Sequence, residues 1–466
     1  MWAGGCATAT PRPVAVPASP PPPAGTFHAE SFHFGRFDAI TFLAPDQRPR
    51  QIVLFLSGRE GFHGEARQLG EALAAHGAAV AVIDLKPYDA RNHSQRTRRD
   101  CIYPAIDFQT LAKRIEKELD FPDYVKPVLV GYRESGSMVV TALAETPPDT
   151  FAGAVTVGFC SQIDLPVAPC PGPGELAWQP GDGGRPGSIL PPQKLPAPWI
   201  TLAAAPPVAC PGFDLDAFVA QTPLAEIERT GDASSKLQAA VARLAPAVSD
   251  APDAPNAADP SLAALPLLEL PATAGTSDSM AVMASGDGGW ADLDQEISDH
   301  LNKNGIPVVG WNSLRYFWSK RTPEETARAL QAIVEHYSRA WHKRRVILIG
   351  YSLGAEVLAD LTDRLPQPLL ERVRAIALIG PGQRVDLEFH LSDWLSEGRE
   401  TRGDYVLPEL RKLRGLRILC FEGDAEKSSL CPALDPGLAQ VVELPGGHHF
   451  GGDYPGIARA ILEAAP

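Results

Sequence analysis

The sequence predicts an α/β protein made of two tandem copies of one unit, each a mostly parallel sheet flanked by helices. Three observations predict it. Residues 345–349 are a short apolar run that reads as a buried strand, followed at once by Gly350-Tyr351-Ser352-Leu353-Gly354 and then a helical pattern. Three further strand-like runs come after it, at 375–380, 416–423 and 440–444. The third observation is internal repetition. Ser57-Gly58-Arg59-Glu60-Gly61-Phe62 mirrors Ser285-Gly286-Asp287-Gly288-Gly289-Trp290 at a separation of 228 residues, and the stretch from His76-Gly77 to Tyr88 mirrors Asn304-Gly305 to Tyr316 at the same separation. Gly131-Tyr132 mirrors Gly350-Tyr351, Gly158 mirrors Gly380, and Cys210-Pro211 mirrors Cys431-Pro432. Ordered landmarks at a nearly constant, long offset mean a duplicated domain rather than a solenoid.

In chain order, residues 1–25 are a Pro/Ala-rich tether with no means of building a core. Residues 26–245 form the first unit, and residues 170–197, rich in Gly and Pro, are expected to be a long irregular loop within it. A polar, Pro-rich linker spans 246–266, and 267–466 form the second unit. A chain of 466 residues is long enough for two cores, and a hydrophobic content of 44% supplies them. The net charge of −14 argues against nucleic-acid binding, which wants a basic face. No apolar run reaches the roughly 18 residues that span a bilayer.

The glycine-flanked serine carries the chemistry. In G-x-S-x-G between a strand and a helix, the two glycines permit a tight turn that lifts the serine above the sheet edge, and the helix N-terminus offers N–H groups to a developing oxyanion. Ser352 is the candidate nucleophile, with the N–H of Leu353 as one oxyanion donor. The loop after the strand 280–284 supplies the second donor, assigned to the N–H of Asp287 among glycines that let the backbone approach closely. A serine nucleophile needs a base, and the base needs a carboxylate to hold its tautomer. Both follow in chain order. Asp424 and Glu426 lie just past the strand ending at Gly423, and His448 and His449 follow Gly446-Gly447 past the next strand. Glu426 and His448 are favoured by spacing; Asp424 and His449 stay open. Glu356, early in the following helix, is expected to complement its dipole.

The copies are not chemically equal. Arg133 stands where the second copy has Ser352, and the first copy has no histidine after His93. Ser135 is a rival nucleophile later in the turn. The first unit is therefore expected to keep the fold and lose the site.

Seven cysteines show no Cys-x-x-Cys metal spacing. Cys160 and Cys170 bracket one short loop and Cys420 and Cys431 bracket the loop carrying the candidate acids, so local disulfides in an oxidising compartment are expected. Small residues before Cys6, followed by the tether, look like the end of a bacterial lipoprotein signal, and a lipid anchor through Cys6 is a further expectation.

Residues 285–290, the long stretch 308–327, Ile349-Gly350-Tyr351-Ser352-Leu353-Gly354-Ala355-Glu356 and Leu444-Pro445-Gly446-Gly447-His448-His449-Phe450 together resemble the AcvB/VirJ family of bacterial virulence proteins. The VirJ-like part covers about 267–466, and AcvB proteins add a related N-terminal domain. The resemblance implies two α/β-hydrolase-like domains and a periplasmic serine hydrolase without metal or organic cofactor. It implies hydrolysis of the aminoacyl ester of aminoacyl-phosphatidylglycerol, lysyl or alanyl, whose headgroup at the membrane surface is then the partner. VirJ's link to type IV secretion makes an adaptor for a secretion-system or envelope protein the alternative; a general carboxylesterase or thioesterase is another. For the lipid substrate, Asp287 would pair with the aminoacyl ammonium. Trp290, Arg315 and Tyr316 would line the site, with Lys320 and Arg321 near the phosphodiester and Phe317 and Trp318 toward the acyl region.

Overall fold

A computed structural model of the chain describes residues 25–465 apart from 50, 95–100, 182–185, 204–209, 230–231, 246–261, 263–264, 391–402 and 427. The expected lipid anchor at Cys6, nearly all of the tether and most of the linker lie outside these residues.

The first unit opens with β1 (Phe27–His33), β2 (Ala39–Pro45), β3 (Gln51–Leu56), helix α1 (Gly64–Ala75) and β4 (Ala78–Ile83). Helices α2 (Leu85–Ser94) and α3 (Pro104–Glu118) lead to β5 (Val128–Tyr132), α4 (Gly136–Glu145) and β6 (Gly153–Val157). Three short strands, β7 (Gln162–Ile163), β8 (Trp178–Gln179) and β9 (Gly187–Ile189), form a small sheet of their own. They give the stretch expected to be wholly irregular some regular pairing. The unit then continues through β10 (Trp199–Ala203), α5 (Leu215–Ala220), β11 (Ala225–Arg229) and α6 (Ala233–Leu244). Its main sheet has eight strands in the order β1-β2-β4-β3-β5-β6-β10-β11, parallel except that β2 runs antiparallel to its neighbours β1 and β4.

The second unit repeats this plan. It runs β12 (Leu267–Leu270), β13 (Ser279–Ala284), α7 (Asp292–Lys303), β14 (Val308–Trp311), α8 (Ser313–Tyr316), α9 (Pro323–Ala340), β15 (Arg345–Tyr351), α10 (Leu353–Leu361) and β16 (Val373–Ile379). The two-residue strands β17 (Arg384–Val385) and β18 (Asp404–Tyr405) pair with each other. β19 (Ile418–Gly423), β20 (Gln440–Leu444) and a C-terminal helix (Tyr454–Ala464) complete it. The seven-stranded order β12-β14-β13-β15-β16-β19-β20 matches the first sheet strand for strand, without a counterpart of β1. The central strands β13 and β16 are buried on both faces, as parallel strands covered by helices must be. That is why they read as unbroken apolar runs rather than as alternation.

The duplication extends to single hydrogen bonds. Ser57 N donates to Ile83 O and Ser285 N to Trp311 O. Gly61 N donates to Gly58 O, as Gly289 N does to Gly286 O. Apolar clusters fill both faces of each sheet, and a small one made of Tyr124, Leu314, Trp318 and Phe389 lies between the units.

Among the described residues three disulfides are present: Cys101–Cys170, Cys160–Cys210 and Cys420–Cys431. The last is the expected local bridge. Cys160 and Cys170 do not pair with each other. Cys160, just past β6, reaches Cys210 past the neighbouring strand β10, while Cys170 is drawn to Cys101 ahead of α3 by backbone pairing of Ile102 with Ala168 and Cys170. Adjacency of strand ends outweighed adjacency in sequence. Disulfides of this number fit an oxidising compartment outside the cytoplasm. Among the described residues no helix is long and apolar enough to cross a membrane.

Candidate active site

The turn after β15 is built around two residues that tolerate no side chain. A Cβ on Gly350 would lie 2.4 Å from Gly354 O, and one on Gly354 would lie 2.1 Å from Ala284 O. Helix α10 therefore starts hard against the ends of β15 and β13. Between the glycines, Ser352 takes φ 54° and ψ −119°, a conformation L-residues avoid and hold only where the surroundings over-determine it. Its N–H donates to Ile379 O at the end of β16 (2.9 Å), and its carbonyl accepts from Ala355 and Glu356 N–H. Leu353 opens α10, so its amide belongs to the first turn, where N–H groups lack intrahelical acceptors.

The loop after β13 closes one side. Gly286 lies so near the elbow that an added Cβ would meet Ser352 Cβ at 3.3 Å. The loop is pinned at several points. Ser285 Oγ accepts from Ser313 N–H (3.0 Å), and Trp290 donates from its indole to Gln295 Oε1 (3.0 Å) while pressing its ring onto Gly310.

The other side is built by the ends of β19 and β20. Asp424 N–H donates to Leu444 O, and Asp424 Oδ1 accepts from Gly446 N–H (2.8 Å). The chain then folds back so that Glu426 N–H donates to Gly423 O. This aims Glu426 at His448, whose Nδ1 lies 2.6 Å from Glu426 Oε1, the distance of a charge-assisted hydrogen bond. The Glu426 side chain is only 9% exposed, whereas His448 is 36% exposed and so open to a substrate. The His448 ring rests against Gly380, next to the carbonyl that receives the Ser352 N–H. His449 is turned away: Tyr351 Oη is 3.3 Å from its Nδ1, and burial, helped by His448 and opposed by Glu426, holds its pKa below the usual histidine value. The Cys420–Cys431 bridge ties β19 to the far side of the loop that bears Glu426. Glu356 is not merely a charge at the start of α10: buried, it accepts the N–H of Gly382 (3.0 Å) and fastens the segment after β16 to the helix.

Three residues expected to line the substrate are engaged elsewhere. Trp290 is buried in the core under its loop. Tyr316 is buried against Trp311 and Phe317. Arg315 points to the first unit, where its guanidinium is 3.5 Å from Asp149. Its neighbours go the same way. Trp318 donates its indole N–H to Phe121 O of the first unit (2.9 Å), stacks on Phe389 and accepts Lys117 Nζ at its carbonyl (2.6 Å). Arg321 donates to Tyr316 O and Lys320 is exposed. The charged–aromatic stretch that suggested a lipid headgroup site is largely the seam between the two units. Such a seam also needs aromatic anchors and paired charges, so composition alone could not separate the two uses.

In the first unit the turn persists without the groups. Arg133 sits at the elbow with φ 54° and donates from Nε to Tyr132 Oη (2.8 Å). Ser135 is fully buried, and its hydroxyl is bound to Leu56 O and Tyr132 O. Arg59, the counterpart of Asp287, pairs with Asp89 and Asp164, and His93 also contacts Asp164. These groups leave a cavity of only about 60 Å³.

Sheet order and elbow define the class, an α/β hydrolase. Residues 278–466 match the family model described as bacterial virulence protein (VirJ), so the resemblance read from the sequence holds for the second unit. No curated protein matches the chain. Among solved structures, Est1E from Butyrivibrio proteoclasticus is 15% identical, covering 43% of this chain and 95% of its own, with a TM-score of 0.33. An α/β serine hydrolase homologue from Coxiella burnetii is 12% identical over 43% of this chain and 91% of its own (TM-score 0.30). An α/β serine hydrolase without a lid from Xanthomonas campestris is 16% identical over 42% and 86% (TM-score 0.30). Likenesses this distant do not bear on the chemistry. Among the described residues no group of three or more His, Cys, Asp or Glu side chains could hold a metal ion.

Proposed function

We propose that the second unit is a serine hydrolase that removes the aminoacyl group, lysyl or alanyl, from aminoacylated phosphatidylglycerol at the periplasmic membrane surface. The observation that carries the hydrolase reading is the 2.6 Å contact of His448 Nδ1 with Glu426 beside the strained turn at Ser352. Glu426 holds the proton on Nδ1, which leaves Nε2 to take the proton of Ser352 Oγ as it attacks the ester carbonyl. The N–H groups of Leu353 and Asp287 receive the oxyanion. His448 then protonates the departing glycerol oxygen, and the acyl-enzyme is opened by a water that His448 deprotonates. Asp424 acts as a brace for the turn before His448, and His449 as support to Tyr351. The substrate class rests on the AcvB/VirJ resemblance. An oxidising compartment fits a substrate in the outer leaflet.

A second reading has support in the first unit. Its elbow carries arginine and its cleft is filled by ion pairs, which suits a docking role toward a secretion or envelope protein. One experiment separates the readings. Aminoacylated phosphatidylglycerol in vesicles is incubated with the purified protein and with Ser352→Ala. Release of free amino acid by the wild type alone supports the hydrolase. Equal cleavage of neutral esters of similar size points to a general esterase, and no cleavage of either leaves docking.

A further inference from the structure

Lys113 belongs to α3 of the first unit, yet its ammonium lies 3.1 Å from Gly288 O in the loop after β13 of the second. The side chain is completely buried, with the Phe389 ring 6.0 Å away. A lysine without access to water is expensive unless its charge is met. Burial pushes its pKa down to about 7, opposed by the Asp287 carboxylate and, on its own helix, by Glu116. Other contacts also join the units. Lys117, one turn further along, already donates to Trp318 O and covers the Trp318 ring, and Trp318 itself donates to Phe121 O. Lys113 differs from these in what it touches. Gly288 and Asp287 are the residues beside Gly286, which abuts Ser352.

We propose that Lys113 is a positioning residue for the second unit's site: by holding Gly288 O and facing the Asp287 carboxylate, it fixes the loop whose Asp287 N–H receives the oxyanion. The proposal rests on the reading of Ser352 as the nucleophile, and it gives the first unit a role its own lost site does not. An oxyanion donor displaced by a fraction of an ångström binds the ground state nearly as before and the transition state less well. The effect therefore falls on kcat and on the rate of acylation, with KM nearly unchanged.

The test compares Lys113→Met with Lys117→Met in the full chain. Both remove one lysine from the same seam, and only the first touches the loop. Three quantities are read: the rate of Ser352 labelling by a fluorophosphonate, kcat and KM on a p-nitrophenyl ester, and amide hydrogen exchange over residues 285–290. Lys113→Met should slow labelling and kcat by roughly 10- to 100-fold, with KM within about twofold, and should speed exchange in the loop. Lys117→Met should change each by less than about twofold. Equal losses in the two variants, or unchanged loop exchange in Lys113→Met, overturn the proposal. If Lys113→Met does not fold, Lys113→Gln is read by the same criteria, because it keeps a donor and removes the charge. A wild type that takes no label at all would defeat the reading of Ser352 itself, and loop exchange alone would then decide whether Lys113 holds the loop.

Discussion

Arg133 and Ser352 stand at the same bend of two equivalent turns, each with φ 54°. In both units the strand before the bend pairs with the strand that follows the next helix, and a glycine two residues ahead, Gly131 or Gly350, lets that helix close in. Both units thus hold a conformation that costs on the order of 1–3 kcal/mol, although only one of them carries a serine there. The fold itself demands the bend, because helix and strand cannot pack otherwise. A strained elbow is therefore no evidence of catalysis alone; the groups around it decide.

Ser352→Ala should lower ester hydrolysis by at least about a thousandfold and leave the melting temperature nearly unchanged. Arg133→Ser should create no activity, since the first unit has no histidine after His93 and so none past its last strands to serve as the base. Ser135→Ala should keep full hydrolysis and lose roughly 1–2 kcal/mol of stability, because two carbonyls lose a buried donor. Rates on a p-nitrophenyl ester and thermal melts of the three variants check this. Loss of activity in Ser135→Ala instead would move the site to the first unit.

The two histidines should separate cleanly. His448→Gln removes the group bonded to Glu426 and should cost about 10³-fold or more in kcat. His449→Gln keeps a polar partner for Tyr351 and should cost less than about tenfold. A pH–rate profile adds a second check. His449, held below the usual histidine value by burial, is not the ring bonded to Glu426, so its replacement should leave the acidic limb of the profile in place. A reversed order of losses would reassign the base.

Much of this was legible in the sequence, for reasons that particular residues show. Gly350, Gly354 and Gly286 are demanded by close backbone approach, and such demands leave a fixed letter at a fixed spacing. The strands flanking them, buried on both faces, leave apolar runs. The pairing of Glu426 with His448 needed three dimensions, because Asp424 and Glu426 have the same chemistry and sit two residues apart. Arg315, Trp318 and Lys113 were beyond reach for a different reason. Their partners, Asp149, Phe121 and Gly288, lie across the seam between units, and nothing local in a sequence announces where two domains meet. The pairing of Cys101 with Cys170 escaped for another reason: the two lie 69 residues apart within the first unit and meet through the backbone pairing of Ile102 with Ala168 and Cys170.

Reducing the Cys420–Cys431 bridge should loosen the acid loop. The Cys420→Ala, Cys431→Ala double variant is expected to lose roughly 2–3 kcal/mol of stability, the order for closing a short loop. Its kcat should fall by about tenfold, as Glu426 no longer holds His448 in one orientation. The pair Cys160→Ala, Cys210→Ala should reduce stability without changing kcat. Circular dichroism melts and rate measurements distinguish the two; equal kcat in both pairs would separate the acid loop from its disulfide.

Asp89 offers a test of pH dependence away from the active site. Its carboxyl is pushed up to about 7 by burial, against the pull of the Arg59 guanidinium and with the push of Asp164. The folded chain thus keeps a proton that the unfolded chain gives up near pH 4. Stability from this group is fully present below about pH 4 and is lost as pH rises toward 7, beyond which the loss is constant. Asp89→Asn, which cannot ionise, should match the wild type near pH 4 and exceed it by on the order of 2–4 kcal/mol at pH 8. Denaturant melts at the two pH values check the sign. A variant less stable at pH 8 would show that the Arg59–Asp89 pair outweighs the cost of burial.

Glu426 and Asp424 give the sharpest contrast, since they differ in what they hold rather than in chemistry. Glu426 Oε1 meets a ring nitrogen, and Asp424 Oδ1 meets the N–H of Gly446. Glu426→Gln preserves shape but replaces the carboxylate with a neutral amide. It no longer stabilises the imidazolium, and its NH₂ would favour the tautomer with the wrong nitrogen protonated. A loss of about 10²- to 10⁴-fold in kcat is expected, with KM little altered. Asp424→Asn keeps an oxygen for the Gly446 N–H and should lose less than about tenfold. Asp424→Ala removes that acceptor and frees the turn before His448. Its kcat should fall further, together with a modest loss of stability, roughly 1 kcal/mol. Steady-state kinetics on one ester with all three variants decides the assignment. A loss in Asp424→Asn as large as that in Glu426→Gln would make the two carboxylates a shared acid and remove the distinct roles given to them.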